Sequence, residues 1–288
     1  MYTYSKLIHN LKFLKRVGAD VGYIGLSEDG RNIPYVFVGD KKAPCIFITA
    51  GIHAREHVSC YLCMRQIEYT LNEFVRGKFK GGGIYFMPML NPDGNMIIAR
   101  GVSESSCANP DLLREIFKTS PTSLFKANAR GVDLNVNFDA QWGTGASNVR
   151  EAGGANYIGS APFSERETRA IARFTLKKKP LSTVSYHCLG QEIYWEFGQR
   201  GEDYSRDKKL VEFINKPLGY RILDDDGKSA GGYKDWCIQK LKIPAFTIEL
   251  CPDEYLHPFT DYCRANEELK KHLDLPLRLL SKIIDYKL

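Results

Sequence analysis

This sequence predicts an α/β fold: three layers, α/β/α, around a central mixed, mostly parallel sheet. Three observations lead there. Apolar runs of strand length alternate with stretches of helical periodicity. Turn signals such as Ser27-Glu-Asp-Gly30 and Asn91-Pro-Asp-Gly94 fall between them. The chain has 288 residues, 43% of them hydrophobic and 26% charged, enough for a large core and ordinary for a globular protein.

Taken in order, residues 5–17 read as an amphipathic helix, and residues 21–26 and 33–38 as a hairpin. Residues 45–50, apolar but for Thr49, read as a central strand, followed by a long helix over 58–74. Residues 83–90 are a further strand, closed by the Asn91-Pro-Asp-Gly94 turn. From 98 to 129 periodicity is weak and polar residues are many, as in a long ordered loop over the active face. Residues 131–135 read as a short strand or strand end. A helix over 164–177 opens on the capping-box-like Ser164-Glu-Arg-Glu167. Residues 181–186 and 245–250 are strands, 208–215 and 234–240 short helices, and 264–286 a final helix. No repeat, low-complexity tract or linker interrupts the pattern, so residues 1–288 are read as one domain.

Net charge is +6, from 40 basic and 34 acidic residues. Such mild basicity fits a soluble protein or one with an anionic substrate. No basic stripe interleaved with aromatics marks a nucleic-acid surface. The first ten residues lack the charged and apolar regions of a signal peptide, and no apolar run approaches the length of a membrane span. Eight cysteines without a disulfide-like framework read as reduced thiols of a cytoplasmic protein. Cys60-Tyr-Leu-Cys63 lies within a helical pattern and has no partner pair, so it reads as helix core.

The chemistry is concentrated at three strand ends. Residues 45–50 feed Gly51-Ile-His-Ala-Arg-Glu56, which presents His53 and Glu56 at i, i+3. The strand before His187 and the strand carrying Glu249 end in the same way. In open α/β sheets ligands bind beyond the carboxyl ends of strands. Two imidazoles and one carboxylate leave a position for water, the donor set of a hydrolytic zinc site. A second carboxylate beside it can take the proton of that water.

These residues resemble the zinc carboxypeptidase family. The matching pieces are His53-Ala-Arg-Glu56, Asn91-Pro-Asp-Gly94, Gly131-Val-Asp-Leu-Asn135, Ser185-Tyr-His187, Ser229-Ala-Gly-Gly-Tyr-Lys-Asp-Trp236 and Phe246-Thr-Ile-Glu249. They follow the family's order and cover roughly residues 20 to 280. The resemblance implies one Zn²⁺ per chain on His53, Glu56 and His187, with Glu249 as general base and acid. It implies Asp133 as the partner that orients His53, Arg55 and Asn135 as substrate contacts, and Lys126 or Arg130 as the charge that stabilises the oxyanion.

The sequence also departs from the family. The Arg that clamps a terminal carboxylate is replaced by Val136, and the family's loop Tyr falls at Gly227, with Tyr233 near enough to substitute. The specificity position falls on Lys234, which either favours a carboxylate-bearing group or is a helix-surface lysine. The stretches 131–138 and 186–195 resemble the bacterial subgroup that cleaves γ-D-glutamyl-meso-diaminopimelate in peptidoglycan peptides. The resemblance therefore implies a zinc peptidase acting on a peptide or muropeptide, with no nucleic-acid or membrane partner. Without export signals or wall-binding modules, soluble wall fragments inside the cell are the expected substrates. The rivals are an ordinary carboxypeptidase or amidase on the same scaffold, a non-catalytic zinc-binding protein, and a thiol hydrolase using Cys188 beside His187.

Overall fold

The computed structural model describes residues 1–79, 81–103, 108–224, 227 and 229–285. Its centre is a single mixed sheet, built from β1 (Asp20–Leu26), β2 (Asn32–Gly39), β3 (Cys45–Ala50), β4 (Gly83–Met87), β5 (Thr183–Cys188), β6 (Glu192–Tyr194), β7 (Arg221–Leu223) and β8 (Ala245–Leu250). The spatial order is β1-β2-β4-β3-β5-β8-β6-β7. The middle four strands, β4-β3-β5-β8, run parallel, while the β1-β2 hairpin, the β2-β4 pair and the β6-β8 pair are antiparallel.

β3, β4 and β5 are buried at every position, as expected of parallel strands covered on both faces. Period-2 alternation divides β3 between two cores. Ile46, Ile48 and Ala50 face α1 (Tyr4–Arg16), α2 (His57–Val75), α6 (Gly201–Asn215) and α9 (Leu275–Asp285). Cys45 and Phe47 face α5 (Arg166–Lys178) and α7 (Tyr233–Leu241). The three-layer arrangement follows from that alternation.

Several local expectations are corrected. Asn91-Pro-Asp-Gly94 begins a helix, α3 (Pro92–Arg100), rather than only turning the chain: Asn91 Oδ1 accepts from Gly94 N at 2.9 Å and Pro92 takes the first helical position. The expected loop over 98–129 contains α4 (Pro110–Thr119), which buries Leu113 and Ile116 against Phe125, Ala127 and Ala129 in a small third core; residues 104–107 lie outside the described residues. Residues 131–135 form no strand. Gly131 at φ 68° and the Asp133 side chain, which accepts from Asn135 N at 3.0 Å, wind them into a 3-10 turn over Leu134–Val136.

Ser164 does not cap α5. Its hydroxyl donates to Glu165 Oε1 at 2.7 Å instead, and the helix begins at Arg166. The final helix is two pieces, α8 (Asn266–Lys270) and α9, and Tyr286 is outside the described residues. β6 and β7, three residues each, are too short to leave a periodic signal. Among the described residues no helix is long and apolar enough to cross a membrane.

Candidate metal centre and active site

Strand order sets the site. From β3 the chain leaves one way to β4 and reaches β5 on the other side, so the crevice beyond the β3 and β5 carboxyl ends is a switch point of the topology. β3 ends in Gly51, at φ 61°, where a Cβ would come within 2.4 Å of Cys60 Sγ. Only glycine fits that turn. The turn is then tied down: Gly51 N donates to Ser59 Oγ at 3.2 Å, and Ser59 Oγ donates to the Glu56 carbonyl at 2.7 Å. His53 is thereby held beside Glu56, the residue that opens α2. His187 lies on β5 in register with Glu249 on β8, so both reach the same sheet edge.

The donors converge. His53 Nδ1 and Glu56 Oε1 are 2.7 Å apart, His187 Nδ1 and His53 Nδ1 3.2 Å, and His187 Nδ1 and Glu56 Oε2 3.2 Å. All three residues are buried. Lone pairs of two ring nitrogens and two carboxylate oxygens facing one point are mutually repulsive unless a cation lies among them. Zinc–ligand bonds of about 2.0–2.2 Å at tetrahedral angles separate neighbouring ligands by roughly 3.3–3.5 Å, close to the spacing of the His187 nitrogen from its neighbours. The donor set therefore fits zinc. Burial disfavours charge on all three, yet the two imidazoles hold Glu56 well below the usual carboxylate range, and Glu56 with Asp133 raises His53 to about 9. The cluster favours positive charge at its centre.

The surrounding shell fixes these ligands. His53 Nε2 stands 3.2 Å from Asp133 Oδ1, and Lys126 Nζ pairs with Asp133 Oδ2 at 2.8 Å. Asp133 also accepts from Asn135 N and Asn156 N, at 3.0 and 3.2 Å. Burial would raise its carboxyl, but Lys126 and His53 hold it far below the ordinary range, so it stays ionised. Asn91 ties two site segments together through Nδ2, which donates to the Ile52 carbonyl at 3.2 Å and the Ala127 carbonyl at 3.0 Å.

Glu249 lines the clefts on both sides of the cluster and is not part of the close three-residue group. Burial, and then the Glu56 charge, push its carboxyl well above the ordinary value. That environment suits a group that takes and returns a proton.

Two larger clefts, and a smaller cavity lined by Asp133, Asn135 and Val136, adjoin His53. One, of about 240 Å³, runs from His53 and Glu249 past Lys126, Asn135 and Lys234 to Phe197 and Asp224. The other, of about 550 Å³, runs past Arg55 and Leu124 to Tyr255 and His257. Asn135 and Lys126 thus lie where the sequence suggested. Lys234 reaches the first cleft, but its Nζ pairs with Asp235 at 2.7 Å and donates to the Glu196 carbonyl at 2.8 Å, so its charge is already partly offset. Arg130 lines neither of these clefts; its Nε lies 3.9 Å from Glu165 Oε2. Between the two oxyanion candidates, Lys126 has the position.

Tyr233 is a correction. It is buried in the second core with its hydroxyl 2.8 Å from Thr175 Oγ1, because position 233 is the first of α7 and turns inward against Phe138 and Trp236. It does not substitute for the missing loop tyrosine.

Burial pushes the Cys188 thiol well above its ordinary value, which removes the thiolate a thiol hydrolase needs. Cys60 and Cys63 are buried and free within α2, as expected of core residues. Phe197, Asp224 and His257 line the clefts without any local sequence signal. They come from loops that only the fold brings together.

The chain matches the family described as zinc carboxypeptidase over residues 18–271. It is 29% identical over 265 residues to the gamma-D-glutamyl-L-diamino acid endopeptidase 1 of Lysinibacillus sphaericus, covering 86% of this chain and 65% of that protein. It is 28% identical over 251 residues to carboxypeptidase B of Rattus norvegicus, covering 79% of this chain and 57% of that protein. The chain thus spans under two thirds of the length of these curated relatives. In structure it resembles bovine thrombin-activatable fibrinolysis inhibitor, solved with a tick carboxypeptidase inhibitor, with TM-score 0.82, 19% identity and coverage of 99% and 98% of the two chains. It also resembles the murein-tripeptide amidase MpaA of Escherichia coli O157, with TM-score 0.57, 20% identity and coverage of 90% and 91%. These two likenesses show the fold.

Proposed function

The chain belongs to the zinc carboxypeptidase family, and from that premise we propose that it is a zinc-dependent peptidase that hydrolyses the γ-D-glutamyl bond to a diamino acid in peptidoglycan-derived peptides. The observation that carries the catalytic reading is the meeting of His53 Nδ1, His187 Nδ1 and the Glu56 carboxylate within 4.8 Å of one another, with Glu249 in the adjoining cleft.

His53, Glu56 and His187 hold the metal. When bound, zinc supplies Lewis acidity and lowers the pKa of a nearby water. Glu249, half-buried on β8 with its carboxyl pushed above the ordinary value by desolvation and the Glu56 charge, takes the water proton and passes it to the leaving amine. Lys126, anchored on Asp133, has further N–H donors to stabilise the negative charge that develops on the scissile carbonyl oxygen. Asp133 orients His53 and strengthens it as a ligand. The first cleft receives the residue after the scissile bond, and the second cleft the residue before it.

The substrate reading is supported by the name of the Lysinibacillus sphaericus relative and by the end of the first cleft. Beside it, in a smaller cavity shared with His53, Lys126 and Asn135, Val136 stands where a terminal-carboxylate clamp would need an arginine. Among the described residues, the lysines lining this cleft, Lys126 and Lys234, are both ion-paired. Nothing among these residues demands a free carboxyl terminus. Mass spectrometry of muropeptide mixtures tests the proposal. Zinc-loaded protein should cut between D-glutamate and the diamino acid, and chelator should abolish the cleavage. Intact γ-linked peptides beside hydrolysed α-linked ones would replace this substrate with a general carboxypeptidase reading.

A further inference from the structure

The smaller cavity beside the first cleft has no part in the catalytic scheme. It holds about 220 Å³ and shares His53, Lys126, Asn135 and Ser229 with that cleft. One water needs only about 10–15 Å³, so the space admits a larger guest. Asp133, Val136, Ser147, Asn148 and Asn156 complete its wall. Charge in this wall is offset within the protein: Lys126 Nζ pairs with Asp133 Oδ2 at 2.8 Å, and Val136 contributes none. Hydrogen-bonding capacity is left over. Asn135 Oδ1 accepts from Tyr233 N at 3.3 Å and Asn148 Oδ1 from Gly145 N at 3.0 Å. Among the described residues, the Nδ2 groups of both, and the whole side-chain amide of Asn156, are without a protein partner. Ser147 and Ser229 are exposed, so the cavity opens to solvent beside them. A peptide unit is neutral and brings one donor and one acceptor, which amides and hydroxyls meet. A carboxylate there would be partly desolvated with no free cation to offset it.

We propose that this cavity receives the amide-linked residue that follows the leaving residue, so that the protein cuts inside a longer peptide as well as at its carboxyl end. The inference rests on the peptidase reading above, which puts the residue after the scissile bond in the first cleft, and not on the γ-glutamyl linkage. That residue branches at its α-carbon. Its side chain runs along the first cleft toward Phe197 and Asp224. Its carbonyl, with whatever is joined to it, turns past Asn135 into the cavity, and a continuing chain leaves beside Ser147 and Ser229.

The test uses zinc-loaded protein and three peptides in which D-glutamate is γ-linked to the same diamino acid, ending in a free carboxylate, a carboxamide or a further alanine. The parent should cut the carboxamide and the extended peptide with kcat/KM at least equal to that of the free acid. A parental preference for the free acid of about 10-fold or more, the size of a lost charge-assisted hydrogen bond, overturns the proposal. Val136→Arg places a guanidinium on the cavity wall and should turn the preference toward the free acid by about 10-fold. Ser147→Phe narrows the exit and should lower the ratio of extended peptide to carboxamide by about 10-fold. Because each ratio is taken within one preparation, partial loss of folded or zinc-loaded protein cancels. Parental ratios in both variants place the following residue elsewhere and overturn the assignment. The same three endings on an α-linked glutamate separate the two readings. If the parent cuts only this series, the γ-glutamyl function fails. The cavity's role then stands if the extended member is cut as well as the free acid, and falls if the free acid leads by about 10-fold.

Discussion

Asp133, fully buried against His53, and Glu249, half-buried and lining both clefts with His53, are acids whose surroundings drive them in opposite directions. Burial and the Glu56 charge raise Glu249, while Lys126 and His53 lower Asp133. One is suited to carrying a proton, the other to holding an imidazole. Glu249→Gln keeps the shape and removes the proton acceptor. Turnover should fall by about 10²–10⁴-fold while zinc content, measured by elemental analysis, is unchanged; hydrolysis at the parental rate would remove Glu249 from the mechanism. Asp133→Asn should weaken zinc binding by about 10–100-fold, read by chelator competition. Parental affinity in that variant would mean that His53 is oriented by something else. Glu249 was legible from its place at a strand end, whereas Asp133 was legible only through the resemblance, because a lone acid beside a Gly-Val turn looks like any turn charge.

Asn91 shows how one short element couples segments far apart in sequence. Its Oδ1 caps α3, and its Nδ2 ties the Ile52 carbonyl, next to His53, to the Ala127 carbonyl, next to Lys126. Asn91→Ala removes a cap and leaves two buried carbonyls short of a donor. The expected loss is about 2–4 kcal/mol, seen as a lower urea midpoint. A midpoint within error of the parent would mean the strap is not needed.

The strands of the central sheet were legible because burial on both faces leaves short runs rich in apolar and β-branched residues, as in Cys45–Ala50 and Gly83–Met87. α4 was not: its apolar residues cover only a few turns and pack on a small local core. The same holds for β6 and β7, whose three residues pair only because β8 is already in place. The turn reading of Asn91-Pro-Asp-Gly94 failed because the residues that begin a turn also begin a helix.

At the scale of the whole molecule, the core holds ionisable groups far from the clefts. His272 is fully buried, with Nε2 3.0 Å from the Tyr220 hydroxyl and its ring edge-on to Tyr186. Burial is the main cause that pushes it down from 6.5 to about 3; Glu268 opposes, and Lys271 and Arg278 assist. The folded state therefore binds fewer protons than the unfolded chain between those values. The stability linked to His272 is fully present above pH 6.5 and is lost as pH falls toward 3. One such group contributes a slope of up to about 1.4 kcal/mol per pH unit. In urea unfolding from pH 4.5 upward, His272→Gln should show a shallower acid-side slope than the parent. Identical slopes would mean that His272 is protonated in the fold.

What the sequence determined by itself was the inventory: apolar runs that must be buried, a glycine at the turn after one of them, and two imidazoles and two acids each placed at a strand end. Local pattern suffices for these because each depends on a residue's own neighbours. Only the tertiary structure decided which charges remain open. Lys234 is drawn to Asp235, Lys126 to Asp133, and Tyr233 into the core, whereas Arg55 keeps a buried Nε–H without a partner. Electrostatic compensation is a property of contacts between distant segments, and in one dimension a paired and an unpaired cation look the same.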